Sequence, residues 1–323
     1  VRLKKWPFIN LVLNDLERVE ALLREHPPEQ YDVIGMAVDR LVSGGGKRLR
    51  PTLVLLSAHL CGAELERAVF AAAAVEMLHT ATLVHDDLID GSLMRRGVET
   101  LNARWSPSVT VLTGDYMFAH AAYLASRTAD SRLMQRFAET LILICNGEVQ
   151  ETCNGRRSRV SREEYERHIY AKTASLIGMS AEAGAILAGA DEGTTEALRS
   201  YGEQLGLAFQ IVDDVLDLVA EEGALGKPLG SDLRQGVITL PLLLFLEMEP
   251  DHPSICRALQ ENPPKEVVQE AARIVAGSPS IEQALEVACQ HANRAGDALN
   301  RFLDSPYKTA LLDLTDFAVR RRF

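Results

Sequence analysis

No proline occurs between Pro107 and Pro228, and the residues between them are dense in Ala, Leu, Glu, Arg and Met. A proline inside a helix removes a backbone hydrogen bond and clashes with the preceding turn, at a cost of about 3 kcal/mol, whereas those five residues are the strongest helix formers. With no alternation of apolar and polar residues and no hairpin dipeptide, the interval predicts several long helices and no strands. Outside that interval, prolines stand where helices start or turn, at Pro27-Pro28, Pro51, Pro107, Pro250, Pro253, Pro263-Pro264, Pro279 and Pro306. The expected class is all-α. No repeat, low-complexity tract or linker divides the chain, so one helical domain over residues 1–323 is expected, although that length alone would also suit two. Glu221 to Gln235, rich in Gly and polar residues, reads as a loop.

At 47 % hydrophobic residues the chain is globular in composition, which excludes disorder and collagen-like order. Its 34 Lys and Arg against 45 Asp and Glu give a net charge of −11. General nucleic-acid binding, which needs clustered cations to displace counterions, is excluded. An anionic partner would need local basic groups or metal ions. Cys61, Cys145, Cys153, Cys256 and Cys289 are odd in number and contain no Cys-x-x-Cys pair, so they read as small buried hydrophobes in a reducing compartment. No run approaches the ~18 apolar residues of a membrane span. The longest candidate, Leu240 to Met248, is broken by Pro241 and Glu247. Val1 to Asn10 carries Lys4 and Lys5 without an apolar stretch and cleavage site. A soluble cytoplasmic protein is expected.

Leu65 to Asp90 is apolar on all sides and ends in His85-Asp86-Asp87-Leu88-Ile89-Asp90. At 100° per residue His79, Thr82, Asp86 and Asp90 share one face. A lone Asp-x-x-x-Asp is usually a solvated helix end, but here the preceding turns are too apolar to be exposed, and acidic groups at a helix C-terminus oppose the macrodipole. The pattern returns in Phe209-Gln210-Ile211-Val212-Asp213-Asp214-Val215-Leu216-Asp217, where Gln210, Asp213, Asp214 and Asp217 form a polar stripe on an otherwise apolar helix. Carboxylates so placed must be protonated, paired or neutralised by cations. Open clusters of hard oxygen ligands suit Mg²⁺, which shares its shell with water and substrate phosphates.

Basic residues come in matching groups. Gly44-Gly45-Gly46-Lys47-Arg48-Leu49-Arg50-Pro51 puts three cations at a helix entrance, a phosphate grip or a solvated basic turn. Arg95-Arg96 follow the first acidic cluster, and Lys172-Thr173 and Gly226-Lys227-Pro228 supply two more candidate phosphate ligands, none specific alone. In this order, the motifs at 45–51, 78–90, 95–96, 114–115 (Gly114-Asp115), 172–173, 209–217 and 230–236 (Gly-Ser-Asp-Leu-Arg-Gln-Gly) resemble those of the trans-isoprenyl diphosphate synthase, or polyprenyl synthetase, family. They cover residues 45 to about 241. The terminal Arg320, Arg321 and Arg322 resemble the family's basic C-terminus.

The resemblance implies one large helical bundle around a central cavity and head-to-tail condensation of isopentenyl diphosphate with an allylic diphosphate. Asp86 and Asp90 on one helix wall, with Asp213 and Asp217 on a facing one, would hold about three Mg²⁺ ions on the allylic diphosphate. Arg95, Lys172 and Lys227 would help stabilise the departing pyrophosphate, and Thr173 and Gln210 would shelter the allylic cation. Lys47, Arg50, His79 and Arg96 match the positions that grip isopentenyl diphosphate. His79 alone would read as a core histidine, but it shares the Asp86/Asp90 face. Asp87 and Asp214 would orient Arg or Lys partners. Where the family often has Lys two positions before Thr-Leu-Pro, this chain has Val237.

Short-chain members carry bulky aromatics four or five positions before the first Asp; here these are Thr82 and Ala81, with Leu78, Met77 and Ala71 to Ala74 beyond. About 15 residues at 1.5 Å give a wall of roughly 22 Å above Phe70 and a product of about C30 or longer, with a geranylgeranyl or farnesyl length as the rival. An all-α terpene cyclase would share the acidic helix but has no need of a second diphosphate site. A regulatory subunit would have lost its acidic clusters, and both are present, although a partner subunit could still be needed. Apolar surface on Ser108 to Leu124 and Ser131 to Val149 beyond what one core uses fits a homodimer.

Overall fold

The computed structural model describes residues 7–25, 33–43, 47–95, 97–154, 160–219 and 230–320, and every structural statement concerns these. Four helices come first: α1 (Leu13–Leu23), α2 (Val33–Ser43), α3 (Leu49–Cys61) and α4 (Leu65–Ile89). The proline-free interval carries α5 (Pro107–Ser126), α6 (Ser131–Asn154), α7 (Arg162–Ile169), α8 (Ser175–Leu187) and α9 (Glu192–Val219). Then follow α10 (Ser231–Gln235), α11 (Leu240–Met248), α12 (Pro253–Ala258), α13 (Lys265–Ala276), α14 (Ser280–Ala298) and α15 (Pro306–Arg320).

Local chemistry sets these ends. Pro107, Pro241 and Pro253 occupy first-turn positions, where no backbone N–H is needed. Ser161 and Glu164 cap α7 reciprocally. Gly62 stops α3 at φ 73°, a conformation that costs a side-chain-free residue little.

Strands were not expected, yet β1 (Met94–Arg95) and β2 (Val98–Glu99) pair antiparallel, Met94 opposite Glu99 and Arg95 opposite Val98. Two residues per strand are too few to leave a period in the sequence.

The chain divides into two compact units. The first comprises Val1–Thr140, Leu176–Ser200 and Leu299–Leu314. Its centre is α4, packed on α1, α3 and α5, with every residue from Ala71 to Leu78 buried. That is the fate expected of a helix apolar on all sides. By length and composition α4, not Leu240–Met248, is the helix apolar enough to cross a membrane, but most of it is buried inside the protein. Helix α8 approaches α3 so closely that a Cβ on Gly184 would lie 2.2 Å from the Ala58 nitrogen.

The second unit comprises Leu141–Ser175, Tyr201–Ala298 and Thr315–Phe323. Its core joins Ile211, Val212, Val215 and Leu216 of α9 to Leu242 to Phe245 of α11, Val275 of α13 and Ala288 of α14. The cysteines depart from expectation. Cys145, Cys153, Cys256 and Cys289 are exposed and Cys61 is half-buried, all as free thiols. Cys145 and Cys153 on α6 and Cys289 on α14 fall on the outer faces of amphipathic helices, where spacing alone does not reveal their exposure.

Candidate active site

In the first unit, Lys47 and Arg50 enter and open α3, exposed and half-buried respectively. Arg48 between them does not join a phosphate grip. Its guanidinium is buried, donating from Nε to Glu20 Oε1 (2.5 Å), from Nη1 to Glu76 Oε1 (2.8 Å) and from Nη2 to the Val42 carbonyl (2.8 Å). Burial opposes the charged guanidinium, but Glu76 and Glu20 outweigh it and hold the pKa above its ordinary value. Arg48 takes the left-handed φ of 48°, which turns its side chain inward while its neighbours stay nearer solvent. Glu76 lies one turn before half-buried His79 on α4, so the Arg48–Glu76 pair ties the Lys47–Arg50 turn to the helix that carries His79. The carboxylates of this strut were missed at the sequence level. Glu76 did leave a signal, as the one charge in the apolar run Ala71 to Leu78.

Further along α4, Thr82 and Asp86 are half-buried and Asp90, the C-terminal cap, is exposed, so this face is the one α4 turns toward solvent. Asp87 points the other way, is buried, and accepts from Arg95 Nε at 2.7 Å. Arg95 thus stands at the end of the acidic helix, in the β1–β2 ribbon. Gly114 is explained by His85: a Cβ there would meet the ring Nε2 at 2.2 Å, and the same nitrogen lies 3.7 Å from Asp115 Oδ1. Met77, Leu78 and Ala81 have no exposed surface, so the proposed chain-length wall is packed within the unit. The half-buried Phe70 lies with its ring 4.6 Å from the Arg127 guanidinium carbon.

In the second unit α7 runs into a π-helical turn, Tyr170–Ala174, that presents Lys172 and Thr173 on consecutive positions. One extra residue in the turn re-aims side chains, a device frequent at functional sites. Two glycines make room for it: a Cβ on Gly147 of α6 would lie 2.8 Å from Ala171 Cβ, and one on Gly206 of α9 would lie 2.6 Å from Ala174 Cα. Lys172 Nζ sits 3.1 Å from Glu148 Oε1 and 3.0 Å from Glu151 Oε2. The Thr173 hydroxyl donates to Gln210 Oε1 (2.7 Å), Gln210 Nε2 donates to Asp214 Oδ1 (2.8 Å), and the Tyr165 hydroxyl donates to Asp214 Oδ2 (2.6 Å). Asp214 therefore orients a glutamine and is held by a tyrosine, where an Arg or Lys partner was expected; Tyr165 left no sequence signal. Burial, with the nearby charge of Asp232, pushes the Asp214 carboxyl well above the usual carboxylate range, and the bonds from Tyr165 and Gln210 pull the other way. Burial and Asp214 likewise raise the Tyr165 phenol.

On the same stripe Asp213 and Asp217 are half-buried. Asp217 also fixes the chain that follows: its two carboxylate oxygens accept from the backbone N–H of Ser231 (3.2 Å) and Asp232 (3.1 Å) at the start of α10. Arg96, Lys227, Gly44 to Gly46, Arg321 and Arg322 lie outside the described residues.

The donor set fits Mg²⁺. Asp86, Asp90, Asp213 and Asp217 offer oxygen only, at i, i+4 spacing on helix faces that are not sealed. Among the described residues no three His, Cys, Asp or Glu side chains converge into a complete site.

Comparison with known proteins agrees with the motifs. The family model for polyprenyl synthetase matches residues 32–275. The chain is 36 % identical over 311 residues to an octaprenyl diphosphate synthase of Haemophilus influenzae, covering 96 % of this chain and 94 % of that protein. It is 36 % identical over 313 residues to heptaprenyl diphosphate synthase component 2 of Geobacillus stearothermophilus, covering 96 % and 97 %. A crystal structure of a polyprenyl synthase from Caulobacter crescentus, complexed with calcium and isoprenyl diphosphate, superposes with a TM-score of 0.91 at 37 % identity, over 98 % of this chain and 97 % of that one. With the all-α isoprenoid synthase fold and these motifs in family order, the chain belongs to the polyprenyl synthetase family and is a prenyltransferase.

Proposed function

We propose that the protein condenses isopentenyl diphosphate head-to-tail (1′–4) with an allylic diphosphate, in the presence of about three Mg²⁺ ions, to give an all-trans polyprenyl diphosphate of about C30 or longer. One observation carries this reading. The chain carries two chemically different sets of charged groups, solvent-accessible carboxylates (Asp86, Asp90, Asp213, Asp217) suited to a metal-bound diphosphate and separate cations (Lys47, Arg50, with His79) suited to a second one. A terpene cyclase needs only the first. Bound Mg²⁺ supplies charge neutralisation for the departing pyrophosphate. Arg95, Lys172 and Lys227 add donors to it, Lys172 exchanging Glu148 and Glu151 for phosphate oxygens, while Arg96 joins Lys47, Arg50 and His79 on isopentenyl diphosphate. When the allylic C–O bond ionises, Thr173 and Gln210 face the positive charge with oxygen dipoles. The π-electrons of isopentenyl diphosphate then form the new C–C bond, and a proton leaves to the released pyrophosphate.

The family match spans sequence from both compact units, which supports their acting as one domain. Exposed Val111, Leu112 and Tyr123 on α5 support a homodimer through that helix. Mg²⁺-dependent turnover with isopentenyl diphosphate and primers of increasing length, with products resolved by size, tests the whole reading. Products of about C30 and longer are expected. Cyclised hydrocarbon from an allylic diphosphate alone would replace it with a cyclase, and activity only on adding a second protein would make the chain a subunit. Ala81→Phe should shorten the product and, because Ala81 is fully buried, lower stability by about 1–3 kcal/mol. Unchanged product length would remove Ala81 from the chain-length wall.

A further inference from the structure

The bonds that join Tyr165, Asp214, Gln210 and Thr173 have a direction. Each Asp214 oxygen receives a donor, the Tyr165 hydroxyl at 2.6 Å and Gln210 Nε2 at 2.8 Å. With its nitrogen turned to Asp214, the Gln210 amide must turn its oxygen to Thr173, and the Thr173 hydroxyl donates there at 2.7 Å. With Asp214 as the carboxylate, the reversed amide would set two acceptor oxygens against each other. Thr173 has a single proton, and it is committed to Gln210; what its oxygen has left to offer is lone pairs. Tyr165 and Asp214 are 4 % and 3 % exposed, so water does not compete for the bond between them, and each bond in the chain polarises the next.

We propose that Asp214, held by Tyr165, is a positioning residue that fixes the polarity of this chain, so that Thr173 presents only its negative end to the cation formed when the allylic C–O bond ionises. The proposal rests on the prenyl-transfer reading given above. It assigns the middle aspartate of the second cluster a task different from those of Asp213 and Asp217. A preorganised dipole aimed at developing charge acts on the chemical step rather than on binding.

The test is a set of variants in the full-length enzyme, read by single-turnover rate of the first condensation, KM for both substrates, Mg²⁺ half-saturation and melting temperature. Asp214→Leu removes the acceptor and should lower the rate about 10²-fold, with both KM values and the Mg²⁺ requirement within about threefold of the parent. Asp214→Asn still has an oxygen for Gln210 and should keep the rate within about tenfold. Thr173→Val should lose as much as Asp214→Leu, and the double variant should lose little more, because both act at the two ends of one chain. If Asp214→Leu is too unstable to assay, Tyr165→Phe combined with Thr173→Val carries the same cycle, again non-additive. Additive losses would overturn the proposal. So would an Asp214→Asn variant as slow as Asp214→Leu with a raised Mg²⁺ requirement, which would make Asp214 a metal ligand. A parent enzyme that fails to elongate any primer would instead overturn the prenyl-transfer reading, and the proposal with it.

Discussion

Arg48 separates what a motif says from what its residues do. Lys47, Arg48 and Arg50 are equivalent as a run of cations, and the sequence offers no means of telling which turns inward. The backbone decides it, since φ 48° at Arg48 sends its side chain to Glu20 and Glu76. Removing one partner of a buried ion pair leaves the others charged and dry, so Arg48→Met should cost about 3–5 kcal/mol, read as a lower urea midpoint at unchanged slope. A loss under about 1 kcal/mol would mean the two glutamates reach water. His291 gives the pH dependence at this scale. Burial, then the charge of Arg294, lowers its pKa, and its Nδ1 lies 2.8 Å from Gln204 Oε1. For a depressed pKa the stabilisation is full above the unfolded-state value of about 6.5 and is lost as pH falls through the folded one. Melting temperature should therefore drop on acidification from pH about 7.5 to 5.5, and His291→Gln should flatten that drop. An unaltered slope would place the titration elsewhere.

Among the elements, the helices were legible because their signals are local: a proline-free interval of strong helix formers and prolines at first turns such as Pro107 and Pro253. The π-turn Tyr170–Ala174 was not, since one added residue per turn changes no propensity and no hydrophobic period. Its only trace is steric. Gly147, Ala171, Ala174 and Gly206 are small where three helices meet within the second unit, and small residues are common enough in a helical protein that four of them announce nothing. The close approach makes the turn vulnerable. A Cβ on Gly206 would stand 2.6 Å from the Ala174 backbone carbon, which cannot yield as a side-chain tip could. Gly206→Ala should cost about 1–3 kcal/mol and, by displacing Thr173 and Lys172, slow turnover by more than that loss of stability explains. Melting temperature and kcat measured on the same preparation check it; full activity in a destabilised variant would show that the turn tolerates the shift.

For the whole molecule, the net charge of −11 first excluded polymeric anions as partners, and the structure refines what that charge is for. Of the six aspartates in the two clusters, Asp87 and Asp214 are buried and engaged by Arg95 and by Tyr165 and Gln210, while Asp86, Asp90, Asp213 and Asp217 retain access to solvent. The helical spacing of each cluster was readable in the sequence; the division of labour within it was not, because it depends on partners up to 49 positions away, as Tyr165 is from Asp214. Each cluster offers two solvent-accessible carboxylates at i, i+4, so neither should hold Mg²⁺ tightly by itself, and an anion should bind weakly against a negative field. Together they satisfy each other. On the proposed reading, Mg²⁺ would neutralise the carboxylates and pyrophosphate would supply oxygen ligands to the ion. Thermal unfolding should therefore shift little with millimolar Mg²⁺ or pyrophosphate alone and by several degrees with both, the signature of about 2.7 kcal/mol of linkage at a hundredfold excess over the dissociation constant. Asp86→Asn and Asp213→Asn should each remove most of that joint shift, as EDTA should in the parent. A pyrophosphate shift that survives EDTA would mean that the cations alone form the grip and that the acidic helices serve some other purpose.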